Sequence, residues 1–304
     1  MLVNPEGGAP GGVQERMDRV SFLDRITECN SHDLSGFLPL LVGGERVGWV
    51  RLDFAERLKP FGDVFEVTEQ AVALSPALES FEARSAAVGT VLEELRAHGA
   101  VAGWRDEPYP VTTDFTAPPL LRMERAAIPR MGIRAYGIHM NGFVLDGTGI
   151  NTGMKMWIAR RARDKQTYPG MLDNMVAGGQ PIGISLRDNL IKECREEAGI
   201  PPEIAARAVP VGCISYLAQV PEGLKPDVQF CYDLELPPSF TPEPVDGEIE
   251  SFHLWPIEQV MEVVAKTTEF KFNCNLVIID FLVRRGLIQP DEPDYVEIVQ
   301  GLRR

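Results

Sequence analysis

Apolar residues recur near helical period through residues 77–98, where Leu78, Phe81, Val88, Val91, Leu92 and Leu95 share one side. This predicts the main helix of the first half, although Arg84 and Ser85 interrupt its stripe and Gly89 weakens its interior. A shorter helix is expected over 21–29, with Phe22, Leu23 and Ile26 on one face. Residues 37–42 and 47–52 flank Gly43-Gly44 and predict a hairpin. Residues 108–119 are rich in Pro and Thr and read as a connection.

The second half patterns differently. Residues 134–145 and 154–162 predict strands, and 171–177 lead into a glycine-rich loop. Two further long strands are expected over 208–220 and 228–236, and another over 250–255. Helices are expected over 257–265 and 275–284. Between the two groups of strands, Ser185 and Asp188 form a variant capping box. The stripe Leu190, Ile191, Cys194 and Ala198 follows, then Gly199 and two prolines that forbid continuation. Strands with helices on both faces imply a three-layer α/β architecture.

That central helix carries the candidate chemistry. Glu193, Glu196 and Glu197 stand at i, i+3 and i+4 and therefore share one side. Three like charges so close are best tolerated around a cation, and hard divalent ions such as Mg2+ take oxygen ligands plus substrate phosphates. The plain alternative is a solvated acidic face.

From Gly178 to Ile200 the chain resembles the Nudix box, G-x5-E-x7-R-E-U-x-E-E-x-G-U, with U a bulky apolar residue. Gly178, Glu193, Cys194, Glu196, Glu197, Gly199 and Ile200 match in register. Ile184 stands in place of the first Glu, and Lys192 in place of the Arg. The likeness extends through Met156–Arg161, Lys165–Asn174, Asp233–Pro237, Asp246–Phe252 and Asn273–Phe281. It looks like the Nudix subgroup related to the Nudix part of fungal and plant thiamine pyrophosphokinase-like proteins, and it covers roughly residues 20–302. The resemblance implies a Nudix α/β/α sandwich with a mixed sheet over 126–304, preceded by a smaller α+β accessory domain over 19–125. It implies Glu193, Glu196 and Glu197 as Mg2+ ligands, with Mn2+ as an alternative ion. The implied reaction converts thiamine diphosphate analogues, oxidised or otherwise damaged, to monophosphates.

Other residues are candidates beside that cluster. Arg160, Arg161 and Lys165 lie close together at a strand end, and strand geometry sends the two arginines to opposite faces. Arg161 is the expected diphosphate ligand, with Lys165 second and the Gly178-Gly179 backbone alongside. Glu248, in the Asp246-Gly247-Glu248 turn, is the candidate for the further ligand or base that many Nudix enzymes take from outside the box; a plain turn carboxylate is its alternative. Trp157 and Tyr216, with Phe230 and Tyr232, are the aromatic candidates for ring recognition; each is equally a core candidate.

Composition narrows the classes. The chain has 304 residues, 44% hydrophobic and 24% charged, enough for a sizeable core. A net charge of -14 argues against a nonspecific nucleic-acid binder. No apolar run reaches the ~18 residues of a membrane span. Residues 1–18 read as a flexible tail rather than a signal peptide, so a cytoplasmic location is expected. The five cysteines show no C-x-x-C spacing and read as reduced thiols. The expected partner is a small-molecule diphosphate, and a homodimer is open.

Three competing classes remain. Another nucleoside-diphosphate-type substrate would use the same cluster. An isopentenyl diphosphate isomerase-like enzyme would need a thiol and an imidazole where Ala177 and Gly179 stand, so its proton chemistry lacks an acid. A non-catalytic ligand sensor is suggested by Ile184 and Lys192 and opposed by the intact glutamates.

Overall fold

The computed structural model describes residues 21–147, 151 and 153–304; the flexible-tail reading of residues 1–18 lies outside them. Helix α1 (Phe22–Cys29) opens with a capping box in which Asp24 Oδ2 accepts from Ser21 N at 2.7 Å. Strands β1 (Phe37–Val42) and β2 (Glu45–Arg51) form the expected hairpin. Helix α2 (Leu52–Leu58) and strands β3 (Phe65–Val67) and β4 (Val72–Leu74) follow, giving a sheet ordered β2-β1-β4-β3. Helix α3 (Phe81–Ala97) starts later than its stripe suggested, because Ser80 Oγ accepts from Ala83 N and sets the first turn there.

Residues 108–119 are not simply a connection. Strand β5 (Pro108–Val111) pairs with β6 (Leu121–Glu124). Tyr109 and Val111 alternate inward and are buried, and Pro108 and Pro110 are tolerated because β5 has a ladder on one side only. Helix α4 (Ile128–Met131) then ends at Gly132, whose φ of 56° suits glycine.

The larger sheet is built from β7 (Tyr136–Leu145), β8 (Met154–Arg161), β11 (Val209–Ser215), β14 (Val228–Glu235) and β15 (Ile249–Pro256), in the order β11-β14-β7-β8-β15. The short strand β9 (Leu172–Asp173) pairs with β8, and β10 (Val176–Gly179) with β7. The sheet is mixed: β14 runs parallel to β7, and the other pairings are antiparallel. Helix α5 (Leu186–Ala198) and α6 (Pro202–Ala205) follow β10. The expected strand over 208–220 breaks after Ser215. Leu217 N turns to Asn30 Oδ1, and β12 (Ala218–Val220) pairs instead with β13 (Gly223–Lys225). Helices α7 (Ile257–Lys266), α8 (Phe272–Arg284) and α9 (Tyr295–Gly301) complete the chain. No described helix is long and apolar enough to cross a membrane.

Alternation along β7 feeds two cores. Ile138, Met140 and Val144 pack with Leu190, Cys194 and Ala198 of α5. Phe143 packs on the other side with Ile158, Val260, Val277 and Phe281 of β8, α7 and α8. Helix α8 is buried from Asn273 to Leu282, as the middle helix of a layer must be. The α/β/α sandwich is therefore observed. A third core runs from Leu38 to Ile133, while Ile26 and Cys29 of α1 join α8 and α9.

Candidate active site

Helix α5 is fixed at both ends by what its sequence supplies. Ser185 Oγ accepts from Asp188 N at 3.1 Å, and Gly199 ends the helix at φ 63°. With Leu190, Cys194 and Ala198 in the core, the glutamate side faces β10. Glu197 is 4% exposed, and its Oε2 accepts from Ala177 N at 2.9 Å. Gly178 is needed opposite Glu193: a Cβ there would come within 2.5 Å of the Glu193 carboxyl carbon. Lys192, in place of the box arginine, reaches Glu193 Oε1 at 3.0 Å and Glu196 Oε2 at 2.9 Å. Lys192 thus links Glu193 to Glu196, while Glu193 and Glu197 lie against β10.

Their electrostatics are those of a site short of positive charge. Burial raises the Glu197 carboxyl well above the usual range, and the charge of Glu193 adds to that. Burial also raises Glu193, although Lys192 opposes it. Burial acts to lower the Lys192 ammonium, but its bonds to Glu196 and Glu193 leave it raised overall. A donor set of three crowded carboxylates, two of them reluctant to ionise, fits a hard divalent cation.

Glu248 stands near this group, close enough for its charge to act on Glu193 and Glu197. Its carboxylate is paired with Lys165. Burial would raise it, but the Lys165 bond and charge, with Arg105 and Arg125, leave it lowered, so it is ionised at neutral pH. The structure places Glu193, Glu196, Glu197, Glu248, Lys165, Gly178 and Gly179 in one neighbourhood.

Arg161 is engaged elsewhere, which corrects its expected role as the diphosphate ligand. Its side chain is 8% exposed; Nη1 donates to Asp173 Oδ2 at 2.8 Å, Nε to Tyr168 O and Nη2 to Thr167 O. It braces the 167–173 segment. Asp173 also accepts from the Cys274 thiol at 2.7 Å and lies 3.7 Å from Lys271 Nζ. Beside it, His139 Nδ1 faces Asn174 Oδ1 at 2.7 Å and Nε2 faces the Asn273 amide. His139, Asp173 and Cys274 have metal-ligand chemistry and spacing. Arg161 and Lys271 already balance Asp173, however, and both imidazole nitrogens of His139 are taken up by Asn174 and Asn273. The group is a structural bracket between β7, β9 and α8.

Two aromatic candidates, Trp157 and Tyr216, are corrected too. Trp157 and Tyr216 are both buried, in different cores: Trp157 in that of α5, Tyr216 in that of α7 and α8. Tyr216 donates its hydroxyl to Asp227 Oδ2 at 3.0 Å. Neither presents an open ring face.

Sequence reasoning missed three groups from the first half of the chain. The Tyr109 hydroxyl and Arg125 guanidinium lie against Gly179, where a Cβ would collide with the former and come 3.6 Å from the latter. Arg125 Nη1 donates to Glu107 Oε2 at 2.7 Å, and its guanidinium lies 5.5 Å from the Tyr109 ring centroid. Arg105 stands close enough to Arg125 and Glu248 for their charges to act on it. No local signal marks them; β5 had been read as a connection. Asn189 was missed as well. It donates to Gly179 O at 2.8 Å and Gln180 Oε1 at 3.0 Å, holding the glycine segment against α5.

Comparison with known proteins gives the family of the chain. A family model described as "Domain of unknown function (DUF4743)" matches residues 21–135. Nudix hydrolase 20, chloroplastic, of Arabidopsis thaliana is 45% identical, over 94% of this chain and 78% of that protein. Nudix hydrolase 24, chloroplastic, of the same plant is 43% identical, over 95% of this chain and 80% of that protein. An uncharacterized protein of Saccharomyces cerevisiae is 34% identical, over 80% of this chain and 75% of that protein. The chain belongs to the Nudix hydrolase family. It is a hydrolase acting on a diphosphate bond.

Proposed function

We propose that this chain is a Mg2+-dependent pyrophosphohydrolase that converts thiamine diphosphate analogues, oxidised or otherwise damaged, to monophosphates. The observation that carries the metal-dependent part is the buried Glu197 carboxyl, bound to Ala177 N and crowded by Glu193. Glu193, Glu196 and Glu197 would hold the ion, Mg2+ or alternatively Mn2+, and the bound ion would supply positive charge against phosphoryl oxygens. Gly178 leaves room for Glu193 at the base of the site. Glu248, kept ionised by Lys165, is the acceptor available for a water proton. Lys165 and the Gly178-Gly179 backbone stand beside the same group. The thiamine-type substrate is supported by the subgroup resemblance over residues 156–281.

The test is a screen of diphosphates with and without Mg2+, with products identified. It should include thiamine diphosphate, oxothiamine diphosphate, ADP-ribose and nucleoside diphosphates. Metal-dependent release of a thiamine-type monophosphate with the highest kcat/KM is the expected result. Preference for a nucleoside diphosphate would overturn the substrate, and absence of metal-dependent turnover on every compound would overturn the hydrolytic reading.

A further inference from the structure

We infer that Arg105 and Arg125, carried by the 21–135 segment, form the phosphate-binding wall of the active site, and that Tyr109 positions it. The inference rests on the diphosphate reading above and extends it to the segment whose family model records no function.

Arg125 is anchored. Its Nη1 bond to Glu107 and its place over the Tyr109 ring fix the guanidinium beside Gly179. A guanidinium offers five donors, so the Glu107 bond leaves further N–H groups for an anion. Tyr109 is held in turn. It is buried in the core that runs from Leu38 to Ile133, and Pro108 O accepts from Ile182 N at 3.3 Å across the boundary with the glycine loop. Glu124 takes the backbone N–H groups of Arg105 and Glu107 at 3.0 and 3.2 Å, so the turn carrying both residues is itself pinned.

Arg105 is different. Its backbone is fixed, yet among the described residues its guanidinium forms no hydrogen bond or ion pair. It is half-buried and lies close enough to Arg125 for that like charge to act on it. Burial and then the like charge of Arg125 lower its pKa, and Glu248 and Glu107 offset this only in part. Arg105 is thus a half-buried cation near a like charge and without an ion pair of its own among the described residues, an arrangement that a bound anion would relieve. The neighbouring carboxylates make a metal-bound diphosphate the fitting ligand class. Its oxygens would give Arg105 a counter-charge, and its cation would give one to Glu197, which lies beside the Lys192-paired Glu193. Arg is also the side chain suited to forked contacts with phosphate oxygens.

The experiment measures binding of Mg2+-methylenediphosphonate, which has no ring and cannot be cleaved at the bridge, to the full-length chain by calorimetry. Arg105→Gln should raise Kd at least about tenfold, the loss of a charge-assisted contact, with the melting temperature unchanged. Arg105→Lys should lose less, because it keeps the charge. Arg125→Lys, which retains a partner for Glu107, should also weaken binding. Kd within about twofold of the parent in both Arg105→Gln and Arg125→Lys would overturn the inference, as would equal losses in Arg105→Gln and Arg105→Lys. Because the probe lacks any ring, a wrong substrate assignment leaves this result intact. Loss of binding in Glu197→Gln alone, with both arginine variants at parental affinity, would keep the metal site and remove the arginine wall.

Discussion

The Tyr109 hydroxyl occupies the space that a side chain on Gly179 would need. Gly179 lies on β10, beside the box helix, and Tyr109 lies on β5, in the core of the first half. Glycine at this position is therefore demanded by close approach rather than by backbone conformation, since its φ is not among the positive ones.

Gly179→Ala should accordingly cost about 1–3 kcal/mol through overpacking. In a chain this size that is about 2–4 °C of melting temperature per kcal/mol. Tyr109→Phe removes the nearest atom of the clash, so the double variant should be more stable than the sum of the singles by at least about 0.5 kcal/mol. Strict additivity in the thermal unfolding cycle would mean that the two residues do not touch.

Glu196→Gln and Glu197→Gln should each lower metal-dependent turnover by about two to four orders of magnitude, since an amide is a poor substitute for a charged ligand. The fold should persist. A glutamine at 197 keeps an acceptor for Ala177 N and removes a charge that burial disfavours. Near-native turnover in both variants would place the ion elsewhere.

The box helix was legible because its signals are local. The Ser185 cap, the apolar stripe and Gly199 lie within one short stretch and agree with one another. Arg161 was misread because its partner Asp173 lies on another strand, β9, and the bond that consumes the guanidinium forms only when β8 and β9 pair. Residues 108–111 were misread because proline signals a connection in isolation; their strand exists through the ladder to residues 121–124. Arg105 and Tyr109 were invisible for the same reason. They come beside Gly179 and Glu248 only through packing between the first core and the glycine loop. The strand over 208–220 looked continuous because its apolar residues continue past Ser215, but Asn30 captures the Leu217 N–H and turns the chain away.

The Asp173 network predicts a specific acid response. Burial alone would raise this carboxyl, but Lys271 and Arg161 hold it down to about 2, against an ordinary 3.8. The folded state therefore binds the proton less readily than the unfolded chain. The stabilisation is present above pH 3.8 and is lost as pH falls through about 2. Asp173→Asn should flatten that acid limb in a plot of melting temperature against pH. At neutral pH it should destabilise by about 3–5 kcal/mol, because Arg161 is left buried without its counter-charge. An unchanged melting temperature at neutral pH would show the bracket to be energetically idle.

A chain beginning at Arg122 should not keep the properties of the whole. It retains Glu193, Glu196, Glu197 and Glu248 but cuts through β6 (Leu121–Glu124) and removes β5, its ladder partner. It also strips the cover from Ile128, Met131 and Ile133, which pack in the core running from Leu38 to Ile133. Gly132 loses the backbone of Trp49, against which it sits too closely for any side chain. Ile182 N loses Pro108 O at the edge of the glycine loop. The expected outcome is a truncated chain that melts well below the parent and exposes apolar surface, read by circular dichroism and by binding of a hydrophobic dye. The intact chain should unfold in one transition, because these contacts tie the first core to the sandwich. A stable truncation with parental kcat and KM would show that the first half neither supports the glycine loop nor contributes to the site.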